Sequence, residues 1–314
     1  MSLALAPGGP ALTGILLVVG GTVLFTVNDA AIKLLSGGYP LHEIILIRTL
    51  IGTMIVMTLL SLSARGLRQV VTRRPGMQIL RALAIVVSNA LYYLGLAHME
   101  IADAAALAYI SPLVVTALAA FLLGERVGLR RWSAIAVGFL GVIVMLRPGS
   151  GVIQLASILV LLSAVLYALN NLLARHMGGT ESALSLSFWA QAGFLATSAA
   201  VWLVAGDGRF ASEGALWDFL VRAWIWPPAR DWPLLLLTGI STSVGAVMVA
   251  QAYRTTEAGI VSPFEYSGMP MAIFWGITVF GTLPDIVSWA GIVLIFGSGL
   301  FVAWCEARTG AGPT

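Results

Sequence analysis

Two stretches of this chain place chemically capable residues inside otherwise apolar sequence. SPFEYSGMP, Ser262 to Pro270, sets Glu265 and Tyr266 between Pro263 and Pro270. TVLFTVNDAAIK, Thr22 to Lys33, puts Thr22, Thr26, Asp29 and Lys33 at i, i+4, i+7 and i+11, one polar stripe on a helix. A carboxylate in such surroundings can carry a proton, receive an ammonium group, or hold a neighbouring hydroxyl or guanidinium in place. Asp29 and Lys33 are spaced for an i, i+4 ion pair with the acid N-terminal, the better order. His42, Glu43 and Arg48 follow in the next apolar run, where Arg48 needs a partner and Glu43 or Asp29 can serve. Lys33, Glu43 and Arg48 are therefore read as structural charge pairs.

These groups do not assemble into a recognised catalytic set. His42, His98 and His176 lie on different connections, and HExxH, G-x-S-x-G and P-loop sequences are all missing. The single cysteine, Cys305, excludes an internal disulfide and a cysteine metal cluster. The expectation is that the chain is not an enzyme and uses neither cofactor nor metal, with ATP drive not encoded.

The elements that must position these residues follow from composition. Of 314 residues, 59% are hydrophobic and 10% charged, against about a quarter charged in soluble proteins. So little charge cannot coat a soluble surface, and the long continuous apolar runs read as membrane-spanning helices. Ten spans are expected, near 12–35, 41–62, 77–97, 101–123, 132–147, 152–175, 182–205, 232–253, 258–281 and 285–304. The N-terminus lacks a basic n-region, so the first run is expected to be a retained span.

Of the 17 basic residues, 16 are Arg. They are orientation signals rather than a nucleic-acid surface. Arg65, Arg68, Arg73 and Arg74 after span 2, and Arg126, Arg130 and Arg131 after span 4, make those connections cytoplasmic. Both termini are then expected in the cytoplasm. The long linker 206–231 falls on the outer side. There Leu216, Trp217, Leu220, Val221 and Trp224 are spaced as an amphipathic interfacial helix.

The chain also repeats. VLFTVNDAAIK (Val23 to Lys33) aligns with VLYALNNLLAR (Val165 to Arg175) at a shift of 142. Tyr109, Gly124, Trp132 and Phe139 match Tyr266, Gly281, Trp289 and Phe296 at a shift of 157. Two five-span halves are expected, 1–149 and 150–314. Five is odd, so the second half enters from the opposite side, giving the inverted repeat typical of secondary transporters.

Spans 1 and 6 then offer matched polar faces: Asn28 and Asp29 in one, Tyr167, Asn170, Asn171 and Arg175 in the other. They line a shared cavity, or the asparagines glue helices and Lys33 and Arg175 snorkel from helix ends. Ser88, Asn89 and Tyr92 of span 3 can join the wall. Tyr109 with Pro112 in span 4, and Tyr266 with Pro263, Gly268 and Pro270 in span 9, mark kinks. These are expected to narrow the path at opposite depths. Glu265 has no acidic counterpart, since Ala108 holds the matched position. Spans 5 and 10, rich in glycine, are peripheral supports; a monomer is expected, with a dimer contact there as the alternative.

The two halves, LLGER at the end of span 4, and YRTTEAGIVSPFEYSGMP across spans 8 and 9 resemble the EamA-type branch of the drug/metabolite transporter superfamily. The resemblance covers about Leu12 to Trp304. It implies an all-α integral membrane protein of ten helices around a central cavity, moving small metabolites across a bacterial inner membrane, often outward. Its amino-acid exporters are the branch favoured. One departure is that Gly124-Glu125 has no second copy, the matched site reading Gly281-Thr282-Leu283-Pro284. Glu125 is read as a helix-end contact. The substrate-facing residues expected are Asn28, Asp29, Asn89, Tyr92, Tyr109, Tyr167, Asn170, Glu265 and Tyr266. A cavity of Tyr and Asn suits zwitterions or neutral amphipaths, amino acids above all, with membrane lipid as the other partner. Proton antiport of other amphipaths, a channel, and a non-transporting scaffold are the alternatives.

Overall fold

The computed structural model describes residues 10–63, 66–123, 128–147, 152–177, 181–212, 217–256 and 264–309. Its secondary structure is helical throughout the described residues. The helices are α1 (Pro10–Leu35), α2 (Leu41–Leu62), α3 (Pro75–Ala97), α4 (Ile101–Ala108), α5 (Ser111–Leu123), α6 (Leu129–Leu146) and α7 (Val152–Met177). They continue as α8 (Ala183–Ala205), the single turn α9 (Asp218–Val221), α10 (Trp232–Thr255), α11 (Gly268–Phe280) and α12 (Ile286–Thr309). Nine spans among the described residues are long and apolar enough to cross a membrane, α4 and α5 counting as one, and α11 is a shorter apolar helix. This is a multi-pass membrane protein. Helices of 22 to 26 residues at ~1.5 Å per residue exceed the ~30 Å hydrocarbon thickness.

Four long pairings build the bundle: α1 along α10, α3 along α7, α6 along α12, and α2 along α8. Lipid gives no hydrophobic drive between helices, so close approach depends on small residues. A Cβ on Gly21 would lie 2.9 Å from the Gly245 carbonyl, and one on Gly245 would lie 3.0 Å from that of Gly21. A Cβ on Gly141 would meet the Gly291 carbonyl at 3.0 Å. Gly141 and Gly291 of spans 5 and 10 therefore pack against each other within the chain.

The connections define two faces. The basic face carries residues 66–74 and the α7–α8 connection, where Thr72 donates to Glu181 at 2.6 Å and Trp189 Nε1 donates to the Val70 carbonyl at 3.1 Å. The opposite, linker face carries the α1–α2 turn, the α3–α4 turn and residues 217–231. There Tyr39 donates to Asp231, Ile225 N–H donates to Glu43 at 3.1 Å, and Arg222 donates to the Ser36 and Gly37 carbonyls. Burial, then the Asp231 carboxylate, push the Tyr39 hydroxyl up to about 12.

The expected amphipathic helix in the long linker shrinks to α9. Phe219 is buried, Arg222 turns extended, and residues 222–228 run without helix. Leu216 and Glu213 lie outside the described residues, as do Pro263, Glu125 and the divide between the halves.

Span 4 is interrupted. Helix α4 stops at Ala108, Tyr109 and Ile110 form a turn, and α5 resumes at Ser111. Pro112 has no N–H for the Ala108 carbonyl, so the ladder breaks there. In span 9, residues 264–265 are helical, Tyr266 and Ser267 form a turn, and α11 resumes at Gly268, with Pro270 denying a donor to Tyr266. The expectation of constrictions at opposite depths is corrected by the rings themselves: Tyr109 and Tyr266 have centroids 5.6 Å apart. A Cβ at Gly268 would fall 1.8 Å from the Tyr109 hydroxyl. The missing side chain lets the two interruptions meet at one level.

Candidate functional site

The sequence reading brings together Asn28, Asp29, Asn89 and Tyr92, and the structure joins them through residues it passed over. Asp29 accepts from Tyr92 at 3.0 Å and from Tyr93 at 3.1 Å. Asn28 Nδ2 donates to the Tyr93 hydroxyl at 2.8 Å and to Asp29 at 3.3 Å. Asn28 Oδ1 accepts from Thr242 of α10 at 2.8 Å. Arg48 donates to the Tyr93 hydroxyl at 3.3 Å and to Asn89 Oδ1 at 3.4 Å. Its guanidinium also stacks over the rings of Tyr93 and Phe194, 5.6 and 5.4 Å from their centroids. Four helices thus share one network about seven residues, ~10 Å, below the linker face.

Tyr93 and Thr242 were missed. Tyr93 neighbours Tyr92, but a one-residue step moves a side chain by about 100° around a helix. Tyr93 therefore turns inward, toward α1 and α2. A threonine in an apolar span carries no signal of its own.

The structural charge pairs expected for Lys33, Glu43 and Arg48 are not what holds them. Lys33 does not pair with Asp29. Its ammonium donates to the Leu96 and Met99 carbonyls at 2.8 and 2.6 Å and lies over the Phe280 ring. The free carbonyls at the end of α3 are nearer cation acceptors than a carboxylate already holding two tyrosines. Glu43 is fully buried but holds the Ile225 N–H, not Arg48. Arg48 reaches Asp29 through the Tyr93 hydroxyl.

A second network surrounds Asn170, about seven residues from the basic-face end of α7. Asn170 Nδ2 donates to Asn171 Oδ1 at 3.1 Å, as Asn28 does to Asp29. Its Oδ1 accepts from Arg81 of α3 at 3.2 Å, and Arg81 also donates to the Leu186 carbonyl of α8. Arg81 counts in the sequence only as one more basic residue near span 3. Its position about one turn inside the expected span 77–97 was the available signal. Ser88, expected in the cavity wall, bonds the Ser163 carbonyl of α7 at 2.8 Å and is buried glue between helices.

Between the two networks lie Tyr109 and Tyr266. Tyr109 and Tyr266 pack ring to ring, with Tyr167 of α7 and Glu265 of span 9 near Tyr109. These side chains face one another across the bundle. Asp29, Asn89, Tyr92, Tyr109, Tyr167, Asn171 and Glu265 are each only partly buried, whereas Asn28, Arg48, Tyr93 and Asn170 behind them are buried. Polar groups deep in a bundle that keep partial accessibility can contact a polar solute. Among the described residues no cluster of His, Cys, Asp or Glu could hold a metal ion.

At the linker-face rim, Arg147 ion-pairs with Asp285 at 2.5 Å and donates to Ser288 at 2.8 Å. The Ser288 backbone N–H, then Arg147, hold the Asp285 carboxyl below the usual range. Burial, then Asp103, push Glu100 up.

Residues 12–147 match the EamA-like transporter family. A riboflavin transporter of Rhizobium johnstonii is 30% identical over 79% of this chain and 76% of that protein. The pseudopaline exporter CntI of Pseudomonas aeruginosa is 30% identical over 90% of this chain and 93% of that protein. An S-adenosylmethionine uptake transporter of Rickettsia prowazekii is 23% identical over 95% of each chain. One solved crystal structure superposes with a TM-score of 0.65 at 16% identity, covering 96% of this chain and 99% of its own, which shows the fold. These relatives move small molecules across membranes, and transport is not enzymatic catalysis. This chain belongs to the EamA-like transporter family, within the drug/metabolite transporter superfamily.

Proposed function

We propose that the chain exports small amphipathic metabolites, amino acids foremost, across the inner membrane of a bacterium by alternating access, with the basic face and both termini cytoplasmic. The observation that carries this reading is the hydrogen-bonded network of Asp29, Asn28, Tyr92, Tyr93 and Arg48 together with the paired interruptions at Tyr109 and Tyr266. Asp29 and Glu265 offer carboxylates to an ammonium group. The tyrosine rings offer apolar and aromatic surface, and Asn89 and Asn171 offer amides.

Two-fold exchange of the halves 1–149 and 150–314 supports alternating access. It maps the α1–α10 pairing onto α7–α3, and the Tyr109 turn onto the Tyr266 turn. Rocking one bundle on the other would then open the tyrosine junction to each face in turn. The relatives differ in cargo and, by name, in direction, which leaves both to the side chains of this site. Facilitated export is preferred to obligate proton antiport because few titratable groups populate the centre.

Competition by a panel of amino acids and amphipathic metabolites against one transported tracer in proteoliposomes tests the reading. Saturable entry competed by apolar and aromatic amino acids is expected. Failure of the whole panel to bind or move would sink it. Equal rates with and without a pH gradient would remove any proton role from Glu265.

A further inference from the structure

Near the basic face, α3 buries a charge that the bundle does not neutralise. Arg81 is 5% exposed and makes two hydrogen bonds, to Asn170 Oδ1 and to the Leu186 carbonyl, both neutral acceptors. Its Nε has no partner, and no carboxylate among the described residues pairs with it. Gln78, one turn earlier on the same face of α3, is 0% exposed, and neither its amide nitrogen nor its amide oxygen is hydrogen-bonded. Side chains three apart on a helix are neighbours, with Cβ atoms about 5–6 Å apart.

An uncompensated buried guanidinium and an unpaired buried amide are each costly. Both carry unpaired donors, one turn apart on α3, and Arg81 reaches α7 and α8. Glu181, an acid described at that face, is already held by Thr72 at 2.6 Å and Ser185 at 2.9 Å. An oxyanion would accept from Arg81 Nε and from the Gln78 amide N–H together and would supply the missing negative charge.

We propose that Arg81 and Gln78 form a buried oxyanion site near the basic face, taking a carboxylate or phosphate group. This rests on the transport reading only for the source of the anion: either the acidic end of a molecule entering from that face, or the headgroup of an anionic lipid. The counterpart network differs, since Asn28 meets the Thr242 hydroxyl of α10 where Asn170 meets Arg81 of α3.

The test is thermal unfolding of the purified full chain in neutral detergent, followed by tryptophan fluorescence. It is titrated with acetate and with inorganic phosphate, using chloride as the ionic-strength control. Parallel samples receive phosphatidylglycerol or phosphatidylcholine micelles. The wild type should show a saturable rise in Tm with an oxyanion or with phosphatidylglycerol, and none with chloride or phosphatidylcholine. Stabilisation by the free ions assigns the site to a soluble anion, and stabilisation by phosphatidylglycerol alone to a headgroup.

Arg81→Gln should weaken the apparent affinity about tenfold or more, and Gln78→Leu by less. Without ligand, Arg81→Gln should melt no lower than wild type, because it removes an uncompensated charge. A purely structural arginine would instead lower Tm when replaced. The proposal is overturned if the wild type responds to neither source, or if Arg81→Gln melts lower and keeps the full response. If Arg81→Gln cannot be purified, an unchanged titration in Gln78→Leu overturns it. Tracer transport is scored separately: an Arg81-dependent response with no transport keeps the oxyanion site and removes the transport reading.

Discussion

The networks around Asn28 and Asn170 start alike and end differently. Each asparagine donates to the next side chain in its helix and accepts from a helix across the bundle. Around Asn28 the neighbour is acidic, and Asp29 is bonded to two tyrosines. Around Asn170 the neighbour is the neutral Asn171, and the partner across the bundle is a buried arginine. Shared local geometry therefore carries different charge: Asp29 with Arg48 in the same network near the linker face, and Arg81 with no carboxylate partner among the described residues near the basic face. A zwitterion or a dipolar amphipath would find complementary groups at two levels.

The largest expected effect comes from removing the acid. Asp29→Ala would leave Tyr92, Tyr93 and Asn28 short of an acceptor, at about 1–3 kcal/mol for each buried group orphaned. Tracer transport should fall at least about tenfold, the scale of one lost charged contact. Asp29→Asn keeps an acceptor, so it should restore most of the stability and little of the transport. Recovery of both would make Asp29 a brace alone and erase the contrast between the networks.

Next in size is the junction between them. Gly268→Ala would drive a methyl into the Tyr109 hydroxyl, and such overpacking costs about 1–3 kcal/mol. Adding Tyr109→Phe should recover part of that loss in a thermal unfolding series. If the double variant is no better than Gly268→Ala alone, the two interruptions are not in the contact described.

Lys33→Met is expected to cost about 1–3 kcal/mol through two lost charged bonds, to the Leu96 carbonyl of α3 and the Met99 carbonyl of the following turn. Transport should persist in the folded fraction, because Lys33 is not bonded to Asp29. Loss of transport at unchanged Tm would return Lys33 to the pathway.

Much of the architecture was legible. Span ends agree with the described helices to within about five residues, apart from span 9, whose expected start lies outside the described residues, because a bilayer demands long apolar runs and leaves few alternatives. The paired interruptions were legible too, since proline acts through the local backbone. The partners were not. Asp29 and Lys33 have ideal spacing for an ion pair, yet each finds a better partner on α3, and helix-face arithmetic cannot see a neighbouring helix. Arg81, just beyond the basic linker, was assigned no role, because sequence does not show where a span's buried face begins.

The smallest effect lies at the rim. The Arg147–Asp285 pair is largely exposed, so Asp285→Asn should change stability little. Asp285 titrates below its ordinary value when folded. Its contribution is therefore present above that ordinary value and disappears as pH falls through the lowered one. A Tm difference between wild type and Asp285→Asn that grows on acidification would contradict this assignment.

The central claim is that both faces reach the junction of Tyr109 and Tyr266 in turn. Ala108→Cys in a Cys305→Ser background, in sealed oriented vesicles, places one thiol beside that junction. The account predicts reaction with a membrane-impermeant maleimide added from either side, with the ratio of the two rates shifted by a transported amino acid. Reaction from one side only, unchanged by any substrate, would contradict it.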